Sequence, residues 1–226
     1  MATVARLVEE TPTARTIVFD IPQWKPHSAG QHVDLRLTAP DGYQATRSYS
    51  LSSGHDEAPQ ITVERVDDGE VSSFLVDIVE DGDTLEIRGA VGGYFVWTPR
   101  LASTRPAPVL LIGGGSGIAP LRAMWRSATT NVPTTILYSA QTHERVIYRD
   151  ELAAHESATV KIHLTRQEHD GYETGRIDSR ALKAAVGTGT PPHTYVCGPT
   201  AFVEAVTQAL MPLHPDASMI RTERFG

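Results

Sequence analysis

Between residues 3 and 97, short runs alternate apolar and polar side chains with a period of two, are rich in Val, Ile, Thr and aromatics, and are broken by turn residues. Such alternation turns one face of a strand to a core and the other to water. It predicts strands at Val4–Glu9, Arg15–Ile21, His32–Thr38, Thr46–Ser52, Gln60–Val66 and Thr84–Val91, with Asp41-Gly42 as a turn between two of them. Six short strands so spaced predict a closed antiparallel barrel. One stretch departs from the alternation. Val71–Val79, following Asp67-Asp68-Gly69, puts Val71, Leu75, Ile78 and Val79 roughly on one face and reads as a helix.

After Trp97 the pattern changes. Thr98–Pro108 holds three prolines and no apolar periodicity, which predicts a linker. Beyond it, apolar β-rich runs at Val109–Ile112, Thr135–Ser139, Thr159–Leu164, Thr194–Cys197 and Met219–Thr222 alternate with helical patterns at Ile118–Ser127, Tyr148–His155, Asp178–Val186 and Ala201–Met211. Alternation of this kind predicts βαβ units around a parallel sheet, and near-continuous apolarity fits strands buried on both faces. The expected architecture is a six-stranded antiparallel β-barrel over residues 1–99, then a five-stranded parallel α/β domain over residues 107–226.

Composition narrows the class of function. A chain of 226 residues lies between one large domain and two small ones at about 150 residues each. Its 20 basic against 27 acidic residues, a formal charge of −7, give nucleic-acid binding no electrostatic support. No apolar run approaches the roughly 18 residues that span a bilayer, and the N-terminus lacks a secretory pattern, so a cytoplasmic location is expected. A single cysteine, Cys197, supports neither an internal disulfide nor a cysteine-held iron–sulfur or zinc centre. An electron carrier would therefore be organic or belong to a partner. The histidines show no H-E-x-x-H or comparable spacing, so no metal is expected, and there is no G-x-S-x-G elbow.

Two segments carry candidate chemistry. Leu111-Ile112-Gly113-Gly114-Gly115-Ser116-Gly117-Ile118-Ala119-Pro120 runs from a strand through glycines into a helix. Glycines let backbone approach a pyrophosphate, and a helix start directs N–H groups at it; a purely structural tight turn has the same appearance. Pro120 replaces the third glycine of the dinucleotide fingerprint, and the second strand ends in Tyr138-Ser139-Ala140-Gln141 without a ribose-binding acid. In Thr46-Arg47-Ser48-Tyr49-Ser50-Leu51-Ser52-Ser53, alternation sets Arg47, Tyr49 and Leu51 on one face and Ser48, Ser50 and Ser52 on the other. Guanidinium matches phosphate and planar rings stack, so this strand reads either as a phosphate and aromatic-ligand site or as a surface Arg–Tyr stack.

The order of motifs goes further. Arg47-x-Tyr49-Ser50, Gly69-Glu70-Val71-Ser72-Ser73-Phe74-Leu75, Gly113–Pro120, Cys197-Gly198-Pro199 and Glu223-Arg224-Phe225-Gly226 follow one another as in the ferredoxin–NADP reductase superfamily, which the chain resembles over essentially its full length. The likeness is to bacterial members without a fused iron–sulfur module. It implies that Arg47 neutralises the FAD pyrophosphate, Tyr49 stacks on the isoalloxazine, Ser48 and Ser50 lie on the flavin strand with Ser50 near N5, and Val71, Ser72 and Ser73 form a second phosphate segment. It implies Gly115, Gly117 and Pro120 at the NADP(H) pyrophosphate, and Thr165, Arg166 and Arg176 at a 2′-phosphate. Cys197, Gly198 and Pro199 would adjoin the nicotinamide, with Glu223 and Phe225 approaching the flavin.

The activity so implied is hydride transfer from NADPH to FAD, with Ser50, Cys197 and Glu223 as catalytic residues, then electron delivery to a ferredoxin, flavodoxin or other redox partner. An NADH-dependent reductase of an oxygenase or of free flavin, and a non-enzymatic electron-relay subunit, are the alternatives. Arg36 and Arg65 are expected to contribute a basic patch for an acidic partner.

Overall fold

The computed structural model describes residues 1–98, 107–128, 131–214 and 216–225. The linker expected at Thr98–Pro108 thus falls largely outside the described residues. Contacts divide the chain into two compact units: Met1–Thr98 with Arg122–Ser127, and the remainder.

In the first unit, strands β1 (Ala2–Thr11), β2 (Ala14–Asp20), β3 (His32–Thr38), β4 (Gln44–Ser50), β5 (Gln60–Glu64) and β6 (Thr84–Val91) form one sheet in the order β4-β3-β6-β1-β2-β5. Every neighbouring pair is antiparallel. The two outer strands are joined through a single bridge, Leu51 to Ile61, and Ser52 N–H donates to the Gln60 carbonyl at 2.8 Å. Asp41-Gly42 lies in the β3–β4 hairpin, where Gly42 takes a φ of +88° that suits glycine.

The inward side chains Ile17, Phe19, Val33, Leu35, Leu51, Ile61 and Leu75 form the core. Helix α1 (Glu70–Ser73) continues as a wider turn over Phe74–Ile78, closed by Val79 N–H to the Phe74 carbonyl, five residues back. The wider turn changes the phase of the predicted face. Val71, Leu75, Val76 and Val79 are buried, whereas Ile78, expected inside, is 62% exposed. Leu75 is fully buried, so its truncation to Ala would cost about 2–5 kcal/mol.

The second unit contains β7 (Val109–Gly114), α2 (Ile118–Ser127, shared with the first unit), β8 (Thr134–Ala140), α3 (Arg149–Ala153), β9 (Ala158–Leu164), β10 (Glu173–Thr174), α4 (Ser179–Val186), β11 (His193–Pro199), α5 (Thr200–Leu210) and β12 (Ile220–Phe225). The sheet is parallel with the order β10-β9-β8-β7-β11-β12. It has one strand more than the five expected, because the two residues of β10 are too few to show a period. Helix α4 is capped by Asp178, which accepts from Ala181 N–H at 2.8 Å. Every residue of β7 is buried, as a central strand covered on both faces requires.

From β7 the chain adds β8, β9 and β10 on one side, then crosses back to place β11 and β12 on the other. This reversal creates a crevice at the carboxyl ends of β7 and β11, the place where open α/β sheets bind ligands. No helix among the described residues is long and apolar enough to cross a membrane.

Candidate functional site

In the first unit, β4 presents the candidate flavin residues in register with β3: Arg47 opposite Leu35, Ser48 opposite Asp34, Tyr49 opposite Val33 and Ser50 opposite His32. Tyr49 is half-buried against the core, and burial, opposed by the weaker pull of Arg47, pushes its phenol up to about 12. The ring therefore stays neutral at any physiological pH. Arg47 is exposed; its Nη1 donates to the Thr46 carbonyl at 2.9 Å, and it pairs with no carboxylate among the described residues. Ser48 is committed elsewhere, with Oγ donating to Asp34 Oδ1 at 2.6 Å. Alternation ends at Ser50: Leu51 and Ser52 are both fully buried, because the chain there bridges to β5.

No side chain caps the start of α1 at Gly69. Ser72 Oγ instead donates to the Gly69 carbonyl and accepts from Val66 N–H at 3.2 Å, so its hydroxyl closes the preceding turn. Backbone N–H groups at a helix start lack intrahelical partners. An exposed guanidinium, a half-buried ring and uncapped N–H donors suit a dianionic pyrophosphate attached to a planar ring system, so the residues present fit FAD.

In the second unit the glycine turn lies at the crevice. Gly115 takes a φ of +54° and opens a single turn, Gly115–Gly117, that leads into α2, with Pro120 in the helix's first turn. A Cβ on Gly117 would stand 2.3 Å from the Cys197 carbonyl oxygen and 2.6 Å from Gly198 N. Only glycine lets this turn rest on the end of β11.

Cys197 lies between Gly113 of β7 and Glu223 of β12, and Pro199 lies opposite Phe225, which is 41% exposed. Burial first, then the neighbouring Glu223 carboxylate, push the Cys197 thiol well above its usual range, so it remains a protonated, uncharged group. A glycine turn at the switch point, leading into a helix start, fits a dinucleotide pyrophosphate.

The residues proposed for a 2′-phosphate lie just beyond the ends of β9 and β10. Thr165 and Arg166 N–H donate to the Ala140 and Gln141 carbonyls, each at 2.9 Å, extending the β8–β9 pairing beyond both strands. Gly175, with a φ of +91°, donates to the Leu164 carbonyl at 2.8 Å and brings Arg176 to the same edge. Both arginines are exposed, and neither is ion-paired among the described residues.

Sequence reading missed what anchors this edge: β10, and Gln167, whose Oε1 accepts from His143 N–H at 2.8 Å. The short β-prone run Tyr172-Glu173-Thr174 ahead of Gly175 was the available signal. His143 and His169 also stack here with ring centroids 4.0 Å apart. Among the described residues, no three His, Cys, Asp or Glu side chains gather as a metal site would require.

Arg36 and Arg65, expected to contribute to a basic patch, are each paired with a carboxylate. Arg36 forms a two-point ion pair with Glu86, its Nε at 2.8 Å from Oε2, and Arg65 Nη1 lies 2.9 Å from Asp77 Oδ1. Cross-strand and local carboxylates neutralise both charges.

The features of the two units converge on one class, a flavin- and pyridine-nucleotide-binding oxidoreductase. Residues 3–96 match the oxidoreductase FAD-binding domain family and residues 111–208 the oxidoreductase NAD-binding domain family. The ferredoxin–NADP reductase B of Sorangium cellulosum is 33% identical over 90% of this chain and 89% of its own length. The chain belongs to the ferredoxin–NADP reductase superfamily. The ferredoxin reductase component of the Rhodococcus rhodochrous 3-ketosteroid-9-alpha-monooxygenase is 31% identical over 99% of this chain. The present chain spans only 64% of that relative's length. An Amycolatopsis cytochrome P450 reductase superposes with a TM-score of 0.86 at 26% identity, covering 99% of this chain and 68% of its own.

Proposed function

We propose that the chain is an NAD(P)H-dependent flavoprotein reductase, with an FAD-binding domain at residues 1–99 and an NADPH-binding domain at residues 107–226, that delivers electrons to a ferredoxin- or flavodoxin-type carrier. The observation that carries this reading is the glycine turn resting on Cys197 at the switch point of a parallel sheet, in a chain whose other unit carries Arg47, Tyr49 and Ser50 on one strand. When bound, FAD supplies an acceptor for the hydride of a reduced nicotinamide and a donor to the next carrier.

The residues have separable tasks. Arg47 and the start of α1 at Val71, Ser72 and Ser73 hold the flavin phosphates, Tyr49 covers the ring, and Ser50 hydrogen-bonds to its polar edge. Gly115, Gly117 and Pro120 admit the dinucleotide pyrophosphate. Cys197, Gly198 and Pro199 line the nicotinamide position with Glu223 and Phe225 beside them, and the uncharged thiol excludes water without reacting. Arg166 and Arg176, next to Thr165, hold a 2′-phosphate, which favours NADPH because guanidinium binds phosphate bidentately.

The test is direct. The purified chain is expected to be yellow, to release non-covalent FAD on heating, and to bleach rapidly with NADPH in stopped flow. A colourless chain that binds no added flavin refutes the assignment. The Rhodococcus relative supports a second reading, the reductase of an oxygenase; faster bleaching by NADH than by NADPH would select it.

A further inference from the structure

Beyond Ser50 the chain leaves β4 and passes through the core of the first unit, where Leu51, Ser52 and Ser53 are all fully buried. Buried backbone outside a regular ladder must find its hydrogen bonds elsewhere. On one side β5 supplies them: Ser52 N–H donates to the Gln60 carbonyl at 2.8 Å, and Gln60 N–H donates to Ser53 Oγ at 3.0 Å. On the other side stands a histidine that none of the roles above uses. His27 is 1% exposed, and its Nε2 lies 3.1 Å from both the carbonyl oxygen and Oγ of Ser53.

The partners of His27 fix its chemical form. Trp24 Nε1 lies 3.2 Å from His27 Nδ1, and an indole nitrogen can only donate, so Nδ1 must accept. The neutral ring then carries its single proton on Nε2 and donates it to Ser53. A second proton, on Nδ1, would set two donors against each other. His27 therefore works as a neutral fastening between the end of β4 and the connection from β2 to β3, which also receives Leu51 N–H at the Gln31 carbonyl. In that connection Gln23 takes a φ of +60°, left-handed backbone that residues other than glycine disfavour, so the loop needs something to hold it closed. The surrounding charges agree. Burial depresses the His27 pKa below 6.5, against the pull of the Ser53 hydrogen bond; His55 lowers it further and Glu57, itself held by Arg126, opposes.

We infer that His27 is a positioning residue for the flavin strand: with Nε2 protonated and Nδ1 held by Trp24, it fixes Ser53 and so keeps Ser50 where hydride transfer needs it. The inference rests on the flavin reading of Ser50 and adds a residue that this reading does not contain. Misplacing a positioned group by about 1 Å can slow a reaction by about a hundredfold, so a small shift at the exit of β4 has a large readout.

The test uses the full chain with its flavin, titrated between about pH 5 and 8. NMR follows the Trp24 indole N–H resonance, identified by its loss in Trp24→Phe, and stopped flow follows flavin reduction by NADPH. In the wild type both are expected to change with one midpoint below 6.5, the rate falling on the acid side. Trp24→Phe removes the opposing donor, so the midpoint of its rate should rise. His27→Asn places an acceptor near the Nδ1 position but does not reach Ser53; it should reduce its flavin about tenfold more slowly at neutral pH, with the Kd for NADPH unchanged. His27→Gln can still donate to Ser53 and does not titrate, so it should restore the rate and abolish the acid limb, which keeps the test valid if the asparagine variant folds poorly. A Trp24 resonance that does not move with the rate, an acid limb that persists in His27→Gln, or a wild-type rate in His27→Asn would overturn the positioning role. A chain that stays colourless with added flavin would overturn the flavin reading instead, an outcome told apart from the others before any rate is measured.

Discussion

Replacing Gly117 by Ala probes the dinucleotide turn with one methyl group. The added Cβ would stand 2.3 Å from the Cys197 carbonyl oxygen, where ordinary contact begins at 3.4 Å, so the turn or the end of β11 must move by the difference of 1.1 Å. The obstructing atoms are backbone, C and O of Cys197 and N of Gly198, and no rotamer change relieves them. Overpacking generally costs about 1–3 kcal/mol, and a backbone obstruction belongs at the upper end. At about 2–4 °C per kcal/mol for a chain of this size, a cost of about 3 kcal/mol lowers the melting temperature by roughly 6–12 °C.

If the turn holds the dinucleotide as proposed, displacing it should also weaken NADPH binding, measured by fluorescence titration, while flavin content stays at the wild-type level. Gly189→Ala is the control. A methyl group there would meet nothing within 4 Å, and the φ of Gly189 is outside the left-handed region, so this change should fall within about 1 kcal/mol of wild type, on the stabilising side. A Gly117→Ala protein that melts within 2 °C of wild type, roughly the shift of one kcal/mol or less, and binds NADPH normally would show that the turn does not depend on this contact.

Two further outcomes are expected. Arg166→Ala should raise the KM for NADPH by a factor matching about 1.5–3 kcal/mol while leaving NADH nearly untouched, and an equal effect on both would remove the 2′-phosphate role. His163 is buried with neither ring nitrogen partnered among the described residues, so His163→Leu should stabilise the protein by about 1 kcal/mol in denaturant titration. Burial depresses the His163 pKa below 6.5 in the folded state, so as pH falls below 6.5 the unfolded chain takes up a proton that the folded chain resists, and stability is lost. The leucine variant should therefore show a shallower fall in melting temperature between pH 6.5 and 5, with the remaining slope owed partly to His27, whose pKa burial also lowers. An unchanged slope would refute the assignment to His163.

Much of this protein was legible in the order of its residues. The periods of two and of about 3.6 are local properties of the chain, so β3 and β6 fall at the predicted residues and α2 spans Ile118–Ser127 as expected. Glycine identities at 115 and 117 likewise declared a turn without knowledge of what the turn would touch. Tertiary structure decided the rest, because those features depend on partners distant in sequence. β10 exists only because Glu173 and Thr174 find His163 and Leu164, which also brings the turn at Gly175 to the end of β9. The wide turn after α1 rotated Ile78 out and Val76 in, an outcome set by the core of the first unit and invisible to helical periodicity. The charges of Arg36 and Arg65 read as free in sequence, yet cross-strand register supplied Glu86 to one and the fold brought Asp77 to the other. Local pattern thus determined which elements form, while long-range pairing determined which side chains remain available for chemistry.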